Sequence, residues 1–370
     1  MKIIFGGDFV PGGRWENIVL KNSGRVYSDE VLDFISSSDL RIVNLESPLT
    51  TSSKAISKLG PNLKCNPGSV SALVAGGVNL VSLANNHIYD YGKKGFFDTL
   101  DVLKNNNINY IGVGDNKLKS RNSVFIMDKV VFLNYGNNEW GVSEDEKEGY
   151  NGYDLIDIHK EINLYKKKGL FVCLILHSGH ELYSYPSPKM VKEFRFLIDS
   201  GSDLIITHHS HFFSGYEKYK QGHIFYGLGN MLFDSKTKNK SWFTSYLLKV
   251  KIIDGNFDDF EILPIINCVK NQKIQVLSTS ERAAFNEKLE EINCIISNPF
   301  MLEQEWRKHI SVMRTSYFVG VKNFNKHIIS IVNRIPFLEK FLFKRTKHFN
   351  KLKNYFHNES HSEVIKSILK

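Results

Sequence analysis

Five short apolar runs in the first part of this 370-residue chain each end in side chains that bind metals or move protons. Lys2–Phe5 leads to Asp8, Leu40–Leu45 to Glu46, and Val78–Leu83 to Asn85, Asn86 and His87. Phe171–Leu176 leads to His177, with His180 and Glu181 close behind, and Leu204–Ile206 leads to His208, His209 and His211. Each has an ordinary explanation on its own. Asp8 after two glycines can cap a turn, and Glu46 can be a solvated loop carboxylate. Asn85 and Asn86 can be turn or N-cap residues, and His87 or His177 can be a hydrogen-bonded core imidazole. His180 reads as a supporting or solvent-facing residue, and Glu181 as an exposed loop acid or a further ligand. Five together point to a site, because ligands of open α/β sheets bind outside the carboxyl ends of the strands. Thr207–His211 is the densest signal. Residues two apart on an extended segment share a side, so His209 and His211 reach one site while His208 points away.

Imidazole combined with carboxylate and carboxamide oxygen suits divalent Mn, Fe or Zn. Two such ions about 3.5–4 Å apart can activate water and clamp a phosphoryl oxygen, and a histidine beside them can protonate a leaving group. Thiolates play no part in this set. Cys65, Cys173, Cys268 and Cys294 are scattered with no CxxC pair, which excludes a zinc ribbon and a thioredoxin-type motif.

The elements that must position these residues alternate along the chain. Strand-like runs (Lys2–Phe5, Leu40–Leu45, Val78–Leu83, Ile108–Val113, Ser123–Met127, Val130–Asn134, Phe171–Leu176, Leu204–Ile206) are interleaved with helical spacing at Asp29–Ser37, Ser69–Ala75, Lys94–Lys104 and Lys189–Ile198. That alternation predicts an α/β fold with a largely parallel sheet. From His223 to Pro264 the runs become strand after strand (Ile224–Tyr226, Thr244–Ile252, Phe257–Leu263), which predicts an antiparallel edge or a second sheet. Ser280–Ile296 and Met301–Met313 then carry helical periodicity, and Asn325–Phe356 is basic and aromatic, broken once at Pro336. The reading therefore divides the chain into a domain of residues 1–272 and a basic helical region of residues 273–370.

Charge follows the same division. Residues 306–357 hold twelve lysines and arginines against one acid, Glu339, a net +11 that leaves −2 for the rest of a chain whose total is +9. Interleaved Phe324, Ile328, Ile331, Phe337, Phe341, Phe343, Phe349, Tyr355 and Phe356 make this stretch amphipathic. That pattern suits an anionic membrane surface better than nucleic acid, and no nucleic-acid partner is expected. The start, MKIIFGGDFV, is too short in apolar residues for a signal peptide. No uncharged run approaches the roughly 20 residues of a membrane span. The expected location is cytoplasmic, with a peripheral place on the inner face of the membrane.

The segments GGDF (6–9), NLESPLT (44–50), SLANNHIYDYG (82–92), LHSGHE (176–181), THHSH (207–211) and YGLGNMLFD (226–234) resemble the CapA family of bacterial capsule and poly-γ-glutamate synthesis proteins. The resemblance runs over roughly residues 1–265. It implies a metallophosphoesterase-like α/β/β/α sandwich, followed here by a helical C-terminal extension. It further implies metal ligands at Asp8, Glu46, Asn86, His177, His209 and His211, with Glu46 as the carboxylate between two metals and His87 as the general acid. Glu181, Asn44 and Asn85 are additional candidates. Where metallophosphoesterases usually carry Asp-x-His, this chain has Asp8-Phe9-Val10. One or two divalent ions, or Glu181 as a substitute ligand, are therefore both expectations. His177-Ser178-Gly179 replaces the family's His-Trp-Gly, and Ser210 its proline; neither removes a ligand. The implied activity is phosphoester-type hydrolysis in capsule or surface-polymer synthesis, on a surface polymer or lipid-linked saccharide intermediate. A non-catalytic metal-binding assembly role is the alternative.

Overall fold

A computed structural model describes residues 1–321 and 358–368. In chain order the strands are β1 (Lys2–Val10), β2 (Leu40–Leu45), β3 (Leu80–Ser82), β4 (Asn109–Ile111), β5 (Val113–Gly114), β6 (Phe125–Met127), β7 (Val130–Gly136), β8 (Gly149–Tyr150), β9 (Phe171–His177), β10 (Leu204–His208), β11 (Tyr216–Tyr219), β12 (Gly222–Phe225), β13 (Asn230–Phe233), β14 (Thr244–Ile253), β15 (Asn256–Cys268) and β16 (Lys273–Val276). The helices are α1 (Arg14–Lys21), α2 (Asp29–Ser36), α3 (Val70–Ala75), α4 (Gly92–Asn105), α5 (Lys117–Arg121), α6 (Leu155–Lys166), α7 (Pro188–Asp199), α8 (Thr279–Ser297), α9 (Pro299–Val321) and α10 (Glu359–Ile368).

Helix starts are written locally. The Ser28 hydroxyl caps α2 by accepting from the Val31 N–H, and Asp29 and Glu30 follow where the helix dipole favours acids. Asp154 caps α6 in the same way. Ser187 caps α7 with Pro188 in its first turn, and Ser278 and Glu281 form a capping box on α8.

All the strands but β5 and β8, which pair with each other, assemble into two sheets. The first runs β16-β15-β14-β1-β2-β3-β4, with β13 joined to the far end of β1. Its β1 to β4 are parallel, and β14 is antiparallel to β1. The second runs β11-β12-β10-β9-β7-β6, with a parallel centre and antiparallel edges. Alternation along the first sheet decides what each face buries. Ile3, Phe5, Leu40, Ile42, Leu80 and Ile111 meet the second sheet in one core. Ile4, Val43 and Val81 turn the other way, to Trp15, Val19, Val31, Leu73 and Phe96 of α1 to α4. Helices α6, α7 and α8 cover the second sheet. This is the α/β/β/α sandwich with a helical C-terminal extension that the sequence implies.

The structure departs from the sequence reading in places that have physical reasons. The run Ile108–Val113 is two strands, because Gly112 adopts φ +83° and sends Val113 to pair with Tyr150. The composition changes near residue 272, but the packing continues across it. β16 pairs with β15, and Phe285, Leu289 and Ile292 of α8 enter the main core, where Phe213 and Phe285 lie 4.5 Å apart. An amphipathic helix must bury its apolar stripe, and here the sandwich itself receives it. Several elements had no expectation, among them α1, α5, α6, β8, β11, β13 and β16. Residues 322–357, most of the basic aromatic stretch, lie outside the described residues. Among the described residues no helix is long and apolar enough to cross a membrane.

One close approach positions the end of β1. A Cβ on Gly7 would sit 1.8 Å from the Gly229 carbonyl oxygen, and one on Gly6 would sit 2.5 Å from the Met231 sulfur. Only glycine lets β13 come this near, and the Gly229 carbonyl then accepts the Asp8 N–H at 3.0 Å. Gly7→Ala must push backbone apart. It should cost at least about 2–3 kcal/mol, seen as a melting temperature several degrees lower. An unchanged melting temperature would refute this account of the strand contact.

Candidate metal centre

The first sheet delivers carboxylates. Asp8 lies where β1 shifts register against β2, past the two glycines. Its Oδ1 accepts from Asn44 Nδ2 at 2.8 Å, and Oδ2 accepts the His209 N–H at 3.4 Å. Glu46 follows β2 directly and is fully buried, its N–H donating to the Phe9 carbonyl. After β3 the chain makes a tight turn. The Asn85 side chain accepts the N–H groups of His87 and Ile88 and donates to the Leu45 carbonyl, so it builds the turn. The turn is also pinned across the sandwich, because Asn134 of β7 accepts the Leu83 and Ala84 N–H groups and donates to Ile175 of β9. Asn86 is thereby aimed at His177 of the second sheet, while the His87 ring turns to Asp90 and Lys58.

The second sheet delivers imidazoles. His177 ends β9, with Nε2 3.0 Å from Asn86 Oδ1, 3.0 Å from His209 Nδ1 and 3.4 Å from Glu46 Oε1. His211 Nδ1 lies 3.3 Å from Asp8 Oδ2 and 3.9 Å from Glu46 Oε2. Two sets of ligand atoms result, each within 4.8 Å of one another: Glu46, His177 and His209, and Asp8, Glu46 and His211. Glu46 belongs to both.

His208 does not point away. Its Nδ1 lies 3.5 Å from Asp8 Oδ1. The alternation argument fails because the segment is not extended beyond β10: His209 has φ +87° and His211 φ +60°. The His-x-His pair faces the site through a left-handed turn, which is costly for residues with a Cβ and persists where the surroundings impose it.

The electrostatics fit a cation. Both Glu46 carboxylate oxygens are buried without a hydrogen-bond partner. Burial, then the neighbouring Asp8 charge, pushes its carboxyl up to about 8. Burial also works to raise Asp8, but the His211 hydrogen bond and the charges of His208, His211 and His177 hold it well below the usual carboxylate range. Burial drives His177 down to about 4 and His209 well below its ordinary value, so both are neutral ligands at pH 7. Burial opposes protonation of His211 too, yet the Glu46 and Asp8 carboxylates carry it up to about 10. A divalent ion in either set would compete with protons for the same atoms. The site residues fit one or two such ions.

Other sequence candidates take supporting or peripheral places. Asn44 links Asp8 to His177, whose Nδ1 lies 3.1 Å from its amide. Glu181 is exposed and belongs to neither ligand set, although its charge reaches Glu46 and His211. His180 is buried away from both, against Trp306 at 4.7 Å.

Four site residues were missed. Glu139, beyond β7, lies 3.7 Å from His209 and accepts from Asn86; burial and then the Glu181 charge push it up to about 8. It was legible as one more acid beyond an apolar run, Val130–Asn134. Asn230 places Oδ1 3.1 Å from His211 and lies opposite Asp8 in the β1–β13 register. Asp90, fully buried, holds His87 Nδ1 at 2.7 Å and pairs with Lys58, whose side chain is 2% exposed. Lys58 comes from a segment without regular structure, and no sequence signal separates it from its neighbours. Removing one partner of so buried a pair leaves an uncompensated charge.

A family model described as "Bacterial capsule synthesis protein PGA_cap" matches residues 2–235, a span that holds every ligand above. The chain belongs to this family. Relatives include the Capsule biosynthesis protein CapA of Bacillus anthracis, 27% identical over 321 residues that cover 80% of this chain and 78% of that one. They also include the PGA biosynthesis protein CapA of Bacillus subtilis (strain 168), 26% identical over 271 residues that cover 70% of each. Among solved structures, a hypothetical protein from Thermus thermophilus is similar with a TM-score of 0.44 at 12% identity, covering 71% of this chain and 98% of that one. Within the PGA_cap span, the quoted segments GGDF, NLESPLT, SLANNHIYDYG, LHSGHE, THHSH and YGLGNMLFD carry Asp8, Glu46, Asn86, His177, His209, His211 and Asn230.

If the two sets take up divalent ions, binding must expel protons. With Glu46 pushed up to about 8 and His211 to about 10, both are protonated at pH 7. Binding should release about one proton per ion, and affinity should rise with pH between 6 and 9. The sign agrees with linkage: the raised Glu46 makes the metal-free fold less stable as pH climbs from the ordinary carboxylate range toward 8, and a bound ion removes that penalty. Calorimetry of Mn(II) binding in buffers of different ionisation enthalpy measures the count. Binding without proton release would contradict the assignment.

Proposed function

We propose that this chain is a metal-dependent, phosphoesterase-type hydrolase acting in capsule or surface-polymer biosynthesis. The observation that carries the reading is Glu46, a buried carboxylate with no hydrogen-bond partner, common to two three-ligand sets drawn from both sheets. The names of the relatives supply the setting, since both CapA proteins are called capsule or PGA biosynthesis proteins.

Divalent Mn, Fe or Zn in these sets would supply Lewis-acid polarisation of a phosphoryl oxygen. The protein's own part is proton transfer and orientation. Asp90 and Lys58 meet His87 at Nδ1, at 2.7 and 3.1 Å, which fixes the ring and leaves Nε2 for a leaving group. Asn86 bridges the two sides, its oxygen toward His177 and its amide toward Glu139. Asn44 holds Asp8 and His177 in register. His87→Ala should lower turnover of a phosphodiester such as bis(p-nitrophenyl) phosphate by about 100-fold or more while metal content, read by elemental analysis, stays at the wild-type level. A wild-type chain inactive with Mn, Fe and Zn removes the hydrolase reading.

The alternative is a metal-containing assembly component without turnover. Val10 favours it, standing where metallophosphoesterases usually place a histidine.

The basic stretch 306–357 fits docking on an anionic membrane surface, at the inner face, where lipid-linked saccharides are built. Within its described part, Trp306 is buried, while Arg307 and Lys308 are exposed and paired with Glu303 and Glu305. The positive charge that remains belongs to residues beyond Lys308. Flotation with anionic vesicles should carry the full chain and fail for one lacking residues 322–357. Equal flotation of both would exclude this stretch as the membrane contact.

A further inference from the structure

The loop beyond β7 brings Glu139, and the end of β9 brings His177, to the candidate metal centre, and the C-terminal helix α10 is docked on the segments beside both. Glu359 accepts the Asn138 N–H at 2.8 Å and also receives the Asn138 side-chain amide. Ser360 accepts from Asn137 Nδ2 at 3.0 Å and donates to the Gly179 carbonyl. One turn further, Glu363 Oε2 lies 3.3 Å from His180 Nε2. These partners are neighbours of site residues: Asn138 directly precedes Glu139, and Gly179 and His180 follow His177. The opposite side of the helix is apolar. Val364, 1% exposed, packs against Trp306 of α9, with Ile310, Tyr183 and Ile365 around them.

A ten-residue helix is marginal on its own in water. Its order comes from these contacts, and coupling between the helix and the two loops is reciprocal. The first turn also lies within electrostatic reach of the site, since the Glu359 charge helps to raise Glu139 and the His361 charge helps to depress His209. The ligand side chains Asp8, Glu46, His177 and His209 are nearly inaccessible in the docked arrangement.

We propose that α10 forms a wall of the metal centre, with Glu359 and Ser360 as positioning residues that hold loops 137–140 and 178–181 and, through them, Glu139 and His177. The proposal rests on reading the site as a metal centre. It assigns a role to residues far outside the span 2–235 that the family model matches.

The test uses the full-length chain, with Co(II) alone as the probe. Two variants attack the helix from opposite sides: Glu359→Ala combined with Ser360→Ala removes the polar contacts, and Val364→Asp disrupts the apolar ones. Hydrogen exchange of segments 137–140 and 178–181 should speed up by about tenfold or more in both variants, with β1 and β2 unaffected. Extraction of Co(II) by EDTA, followed by the visible spectrum, should accelerate by a similar factor. Unchanged exchange in both variants, with cobalt bound normally, overturns the proposal and leaves the metal centre standing. Loosened loops with unchanged cobalt extraction also overturn the positioning role. A wild-type chain that takes up no cobalt overturns the metal-centre reading, and the proposal with it.

Discussion

The structure is organised around a carboxylate that its own fold does not satisfy. Glu46 is fully buried, with neither oxygen hydrogen-bonded. Burying a charge without a partner is among the most expensive things a protein can do, and burial with the Asp8 charge pushes the Glu46 carboxyl up while the Glu46 and Asp8 carboxylates raise His211. The imidazoles around it come from the other sheet. The sandwich must therefore keep its two sheets in one relative position for the site to exist.

Three local devices place the site's side chains. Gly6 and Gly7 let β13 close onto β1, which fixes Asp8 beside Asn230 and His211. Asn134 crosses from the second sheet to the turn after β3 and so places Asn86 and His87. The buried Lys58–Asp90 pair then sets the His87 ring. None of these residues belongs to the two ligand sets, apart from the Asp8 and His211 they place. Each device converts buried packing or pairing into the placement of a functional side chain, which is how a rigid scaffold preorganises a site.

The principal candidate ligands were legible because their chemistry is rare at strand ends. Asp8, Glu46, Asn86, His177, His209 and His211 lie where the apolar runs stop, and the structure gathers all of them. Glu139 obeys the same rule but follows a strand whose end was read two residues early. His208 was misplaced for a different reason: period-two reasoning holds only while the backbone stays extended, and two left-handed histidines end it. Lys58 carried no signal at all, because a lysine in an irregular segment looks solvated until the tertiary fold buries it.

By itself the sequence determined the alternation of strands and helices, the helix caps and the residue types available to bind a metal, since these depend on local spacing and chemistry. It also determined family membership through short segments in a preserved order. Only the tertiary structure decided that Glu46 is shared by two ligand sets, that His208 faces Asp8, that α8 belongs to the main core, and that residues near 360 meet the loops beside Glu139 and His177. Those are contacts between segments distant in the chain. They follow from how two sheets and their covering helices exclude water together, which no local window of sequence encodes.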